Sequence, residues 1–99
     1  MAYKIIYRKR YFNRLFKLLN YLEKEWNINV AETFIKQLQF KLENLEKQPF
    51  VGLPSSILKN VRSISITKHN RIYYRIKNQK IEILNMYDTR INPKRNRYK

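Results

Sequence analysis

At 99 residues and 43% apolar content, the chain holds material for one hydrophobic core but not for two, and its composition argues for a folded domain. It has no cysteine and one histidine, His69, so neither a disulfide framework nor a Cys/His metal site is on offer. Its 22 Lys and Arg against 7 Asp and Glu give a net charge of +15, which suits polyanionic company: nucleic acid, a ribosomal surface or an acidic protein.

The excess is uneven. Up to Pro54 there are ten basic and five acidic residues; beyond it there are twelve and two, and six of the nine arginines follow residue 60. The opening MAYKIIYRKR has too short an apolar run for a secretory signal, and no segment reaches membrane-spanning length. A cytoplasmic protein with no membrane partner is the expectation.

Tyr3 to Tyr7 is a short β-rich run. From about Tyr11 the period changes: Phe12, Leu15, Phe16, Leu19, Leu22 and Trp26 recur at three- and four-residue steps, the apolar stripe of a helix, with Trp26 packing at its end. Asn27-Ile28-Asn29 interrupts it. Asn29 stands three residues before Glu32, in the spacing of a capping box, and opens a second helix with the stripe Ala31, Phe34, Ile35, Leu38, Leu42 and Leu45. Pro49 ends that helix, and Gly52, the only glycine, sits in the following turn.

Three β-like runs follow, Leu58–Thr67, Arg71–Lys77 and Lys80–Tyr87, with joints short enough for antiparallel hairpins. In the middle run Ile72, Tyr74 and Ile76 face one way while Arg71, Tyr73, Arg75 and Lys77 face the other. The last run breaks alternation at Ile83-Leu84, so it is either covered on both faces or bulged. The fold class is α+β, in the order β-α-α-β-β-β, with a helical hairpin on one face of a mainly antiparallel sheet. Residues 1–99 are expected to form one domain, with a loose basic tail at 91–99.

Arginine forks hold phosphate oxygens bidentately and stay charged, and tyrosine rings stack on unpaired bases. Arg62, Arg71, Arg75 and Arg90 fall at strand ends or on the face away from the helices, with Tyr73, Tyr87 and His69 among them. Lys77, Lys94 and Arg95 extend the basic surface. The bland alternative is that an exposed strand face is simply polar and solvated. Asp88, the only aspartate, lies two residues before Arg90, where its expected role is to orient that arginine. His69 lies in a turn; its imidazole could exchange a proton, and a lone turn histidine is more often a bystander. No Gly-rich phosphate loop, Ser–His–Asp arrangement or carboxylate cluster is visible. Any chemistry would run without metal or cofactor, on arginine, lysine, tyrosine and histidine.

Several stretches stand out together: Tyr21-Leu22-Glu23; Ala31, Phe34 and Leu38; Leu45 to Pro49 followed by Gly52; Val61-Arg62; His69-x-Arg71-x-x-Tyr74-Arg75-Ile76; Ile81-Glu82-Ile83-Leu84; and Asp88-x-Arg90 with Asn92-Pro93. In their order and spacing they resemble the RelE/ParE toxins of bacterial type II toxin–antitoxin systems. The resemblance covers nearly the whole chain and implies a compact toxin fold and a cognate antitoxin. It also implies one of two activities.

RelE-like members are metal-free ribonucleases that cut messenger RNA on the ribosome. By that resemblance Arg71 and Arg90 would bind the scissile phosphate, Arg62 would add positive charge, and Tyr87 or His69 would assist proton transfer. ParE-like members inhibit DNA gyrase without cutting RNA. Where RelE-like chains carry a lysine for proton transfer, this one has Ile64, and the tyrosine role falls to Tyr87 or Tyr98. The basic excess and the arginine–tyrosine face favour RNA cleavage; Ile64 favours the gyrase alternative.

Overall fold

A computed structural model describes residues 3–88. Chain order is β1 (Lys4–Tyr7), α1 (Lys9–Glu25), α2 (Ile28–Lys47), β2 (Leu53–Pro54), β3 (Val61–Ser65), β4 (Asn70–Lys77) and β5 (Lys80–Asp88). The strands form one sheet in the order β1-β5-β4-β3-β2, antiparallel throughout except for β1, which runs parallel to β5. The expected α+β architecture with a helical hairpin is present, with the short edge strand β2 in addition.

Where α2 begins differs from expectation. Asn27, not Asn29, caps it: the Asn27 side-chain oxygen accepts from the Val30 N–H at 3.0 Å, satisfying one of the free donors of the first turn. Asn29 is already inside the helix. The strand expected from Leu58 also starts later than its residue types suggest, at Val61. Asn60 takes a left-handed φ of 65°, and the Ser55 hydroxyl accepts from the N–H groups of Ile57 and Leu58, holding 55–58 in a turn. Asn78 and Gln79, φ 51° and 62°, make the two-residue joint of β4 and β5, whose twist suits paired strands.

Against the helix-facing side of the sheet, Phe34, Leu38 and Leu45 of α2 pack with Ile72, Tyr74, Ile81, Ile83 and Met86. α1 presents Tyr11, Leu15, Leu18, Leu19 and Leu22 to this core, not the full stripe expected from its sequence. Phe12, Phe16 and Trp26 are exposed, at 39%, 58% and 66%. The apolar band of α1 is wide, running through the neighbours Tyr11-Phe12, Leu15-Phe16 and Leu18-Leu19. Burial of Tyr11 selects one half of the band for the core and turns the other half to solvent.

β5 explains its own irregular pattern in two ways. It lies inside the sheet between β1 and β4, and it bulges: Tyr73 pairs with Asn85 and Tyr74 with Ile83, leaving Leu84 unpaired. The extra residue reverses the alternation. Ile81, Ile83 and Met86 point to the helices, whereas Leu84 and Tyr87 point to the other face.

Candidate functional site

On the face away from the helices, Val61, Tyr73, Leu84 and Tyr87 form a small apolar cluster with Leu58 packed against it. The Tyr73 and Tyr87 rings meet edge to face, centroids 5.9 Å apart and planes at 83°. Both were expected to stand exposed, Tyr73 for stacking on bases and Tyr87 for chemistry. Both are 7% exposed. The reason is the bulge at Leu84, which brings Leu84 and Tyr87 to the same side as Tyr73. The Arg14 guanidinium lies 5.0 Å from the centre of the Tyr87 ring.

Arg71 pairs in register with Tyr87 across β4 and β5. Its Nε donates to the Ser63 hydroxyl at 3.2 Å and its Nη2 to the Ser63 carbonyl at 3.5 Å, and the side chain borders a groove. The groove, about 470 Å³, runs between the end of α2 and the β2–β3 edge; Lys41, Lys47, Val51 and Leu53 help to line it. His69 is half-buried in the β3–β4 turn, two residues before Arg71. Asp88 ends β5 opposite Asn70 and borders a cavity of about 320 Å³ with Arg14, Lys17 and Tyr21.

Arg62 belongs elsewhere. It pairs with Tyr74, whose ring lies in the helix-side core, so Arg62 and Arg71 leave the sheet from opposite faces. The Arg62 Nη1 donates to the carbonyls of Gly52 at 2.8 Å and Phe50 at 3.2 Å, and its guanidinium sits 5.3 Å from the centre of the Phe50 ring. Arg75 is turned to Glu82 at 3.6 Å, a carboxylate that Arg8 also holds at 2.8 Å. Lys77 is exposed beside the β4–β5 turn. Arg90, Lys94 and Arg95, like Tyr98 and the tail at 91–99, lie outside the described residues.

Tyr74 organises the loop that holds Arg62. Its hydroxyl donates to the Pro49 carbonyl at 2.8 Å and accepts from the Gly52 N–H at 3.0 Å. Burial pushes its pKa up, opposed by the Gly52 N–H and the Arg62 charge, so the hydroxyl keeps its proton at neutral pH and can donate. Gly52 is glycine because of this contact: a Cβ there would run into the Tyr74 hydroxyl and lie 2.7 Å from the Ser63 carbonyl. Sequence reading placed Gly52 in a turn but had no signal for its partner, which is 22 residues away.

Among the described residues, no group of three or more His, Cys, Asp or Glu side chains could hold a metal ion. No helix among them is long and apolar enough to cross a membrane.

A two-helix hairpin laid on one face of a five-stranded mixed sheet is a fold that the chain shares with solved toxins of the RelE/ParE kind. Residues 5–93 match the model of the ParE toxin of type II toxin–antitoxin systems, parDE, and the chain belongs to that family. It therefore falls within the RelE/ParE superfamily that its motifs resemble. Among solved structures, it superposes on the chromosomal ParDE system from P. aeruginosa with a TM-score of 0.73 at 13% identity, covering 88% of this chain and 96% of that one. The RelBE2 toxin–antitoxin complex from Mycobacterium tuberculosis gives 0.59 at 18% identity, over 89% and 99%. An arginine-to-alanine double mutant of E. coli toxin RelE in the free state gives 0.62 at 14% identity, over 94% and 90%. No curated protein sequence matches the chain.

Proposed function

We propose that this toxin arrests growth by inhibiting DNA gyrase, without cutting RNA, and that a cognate antitoxin in the same cytoplasm neutralises it. The observation that carries this reading is the separation of Arg62 from Arg71. A ribonuclease without metal needs its cations gathered on one phosphate, because transition-state charge is stabilised only by donors already aimed at it. Here Arg62 leaves the opposite face of the sheet and is engaged by two backbone carbonyls. Ile64, at the position where a lysine would transfer protons, packs against the core. The match to the ParE family supports the same target. The working surface in this proposal is the outer face around Arg71, with its basic groove.

One observation favours the RNA-cleaving alternative: Arg71 and Tyr87 sit opposite one another in register, with His69 in the adjoining turn. The two readings separate when purified toxin is added in parallel to a gyrase supercoiling reaction and to translating ribosomes. The gyrase reading expects supercoiling to stop while messages remain whole. Messages cut on the ribosome, with a cyclic phosphate at the new 3′ end and gyrase unaffected, would replace it with the ribonuclease.

A further inference from the structure

A further cavity lies at the other end of the sheet from Arg71, between the 50–60 loop and the β4–β5 turn, and measures about 380 Å³. That is room for a small molecule, whose sites run from about 300 to 1,000 Å³. Lys77, which lines it, stands at the far end of β4 from Arg71, about 20 Å away at the rise of an extended strand.

The lining carries three cations, Lys59, Arg62 and Lys77, and no carboxylate. Lys59 and Lys77 are exposed and form no ion pair with Asp or Glu among the described residues. Arg62 is half-buried and already fixed. Its Nη1 is held by the Gly52 and Phe50 carbonyls, while its Nε and Nη2 make no hydrogen bond among the described residues. A guanidinium held in place loses little freedom when its other donors take a ligand. Three positive side chains around one hollow, with no carboxylate to balance them, favour an anion. A phosphate answers both the guanidinium fork and the two ammonium groups.

Two rings stand beside the cations. Phe50 and Tyr3 meet edge to face, centroids 6.4 Å apart and planes at 88°. Phe50 is 59% exposed, and Arg62 lies over its ring. A planar group can stack on a ring so exposed, and the neighbouring guanidinium adds to the attraction. A bare phosphate would leave that ring unused.

The walls are formed in advance. The Ser55 N–H donates to the Val61 carbonyl at 2.8 Å, the Ile76 N–H to the Asn60 carbonyl at 3.1 Å, and the Lys4 N–H to the Gln79 carbonyl at 3.2 Å. The non-glycine residues with left-handed φ among the described residues, Asn60, Asn78 and Gln79, all line this cavity. Backbone of that kind gathers where a site must be held in shape.

We propose that this cavity binds a nucleoside 5′-monophosphate, with the phosphate between Lys59, Arg62 and Lys77 and the base stacked on Phe50. The 50–60 loop bounds one side and the β4–β5 turn the other, which suits a single nucleotide better than a strand running through. The site does not depend on whether the toxin acts on gyrase or on message.

The test titrates the full chain by calorimetry with AMP, adenosine and ribose 5-phosphate. AMP should bind, and each fragment should bind at least about tenfold more weakly, because each fills half of the site. Phe50→Ala and Lys77→Gln should each weaken AMP by about tenfold while the melt stays cooperative. Lys24→Gln, which removes the same charge from the last turn of α1, should leave the affinity as it was. No binding of AMP, or ribose 5-phosphate binding as tightly as AMP, would overturn the proposal, the second in favour of a bare phosphate site. Equal losses in Lys24→Gln and Lys77→Gln would overturn it in favour of diffuse charge attraction. A hydroxyl-ended tetra-adenylate that binds more tightly than AMP and is weakened by Phe50→Ala would overturn it in favour of a nucleic-acid strand.

Discussion

The two faces of the sheet bury their apolar residues by different means. On one, two helices cover Ile72, Tyr74, Ile81, Ile83 and Met86. On the other, among the described residues, Leu58 packs at the side of Val61, Tyr73, Leu84 and Tyr87, and Arg14 reaches over the Tyr87 ring. The first arrangement fixes the fold. The second leaves charged side chains next to buried rings, where they can move to meet a partner without disturbing the core. Bound function can thus sit on the outer face while stability resides under the helices.

That division predicts its largest effect in the helix-side core. Leu38, 4% exposed, packs in its centre. Leu38→Asp would bury an unpaired carboxylate, costing on the order of 4 kcal/mol or more, enough to unfold a domain this small. A soluble Leu38→Asp variant with a cooperative melt would break the comparison.

Next comes the clamp of Tyr74 on the loop at 49–52. Tyr74→Phe strands the Pro49 carbonyl and the Gly52 N–H in a buried site, so chemical denaturation should show a loss of about 1–3 kcal/mol. Gly52→Ala should destabilise as well, because the methyl meets the tyrosine and the Ser63 carbonyl together. Wild-type stability in both would mean that the loop is held by other contacts.

A smaller effect follows from pH. Burial raises the pKa of Tyr74 and Tyr11 above the ordinary tyrosine value near 10. In the unfolded chain these tyrosines ionise first, so the folded state binds more protons above that value and loses stability as pH climbs. Below it their contribution is whole. Denaturant midpoints should fall from about pH 10 upward, and Tyr11→Phe should flatten that slope. The smallest effect belongs to Glu82, whose pairs with Arg8 and Arg75 are largely solvated; Glu82→Gln should change stability by less than about 1 kcal/mol.

Much of this was legible in the sequence. The α2 stripe from Ala31 to Leu45 reads directly, because its apolar residues recur singly around a polar helix. The break at Ile83-Leu84 left a covered central strand or a bulge as alternatives, and β5 is both central and bulged. The α1 stripe was misread because adjacent residues are apolar at three successive steps, and periodicity alone cannot say which of Tyr11 and Phe12 is buried. Tertiary packing decides that. At the site, alternation put Arg71, Tyr73 and Arg75 on one face, yet the burial of Tyr73 and Tyr87 depended on a single unpaired residue. The contacts of Arg62 with the Gly52 and Phe50 carbonyls depended on a loop pinned by Tyr74, and no local pattern encodes those contacts.

The division between the faces is tested most directly by comparing Arg62→Ala with Arg71→Ala, each measured for melting temperature and for growth arrest on induction. Arg62 secures a loop to the helix-side core; Arg71 stands on the outer face. Arg62→Ala should lower the melting temperature by several degrees, the equivalent of about 1 kcal/mol in a domain of this size, and still arrest growth in cool culture. Arg71→Ala should melt as the wild type does and no longer arrest growth. An Arg71→Ala toxin that retains full potency, alongside an Arg62→Ala toxin that melts normally but is inert, would contradict the account.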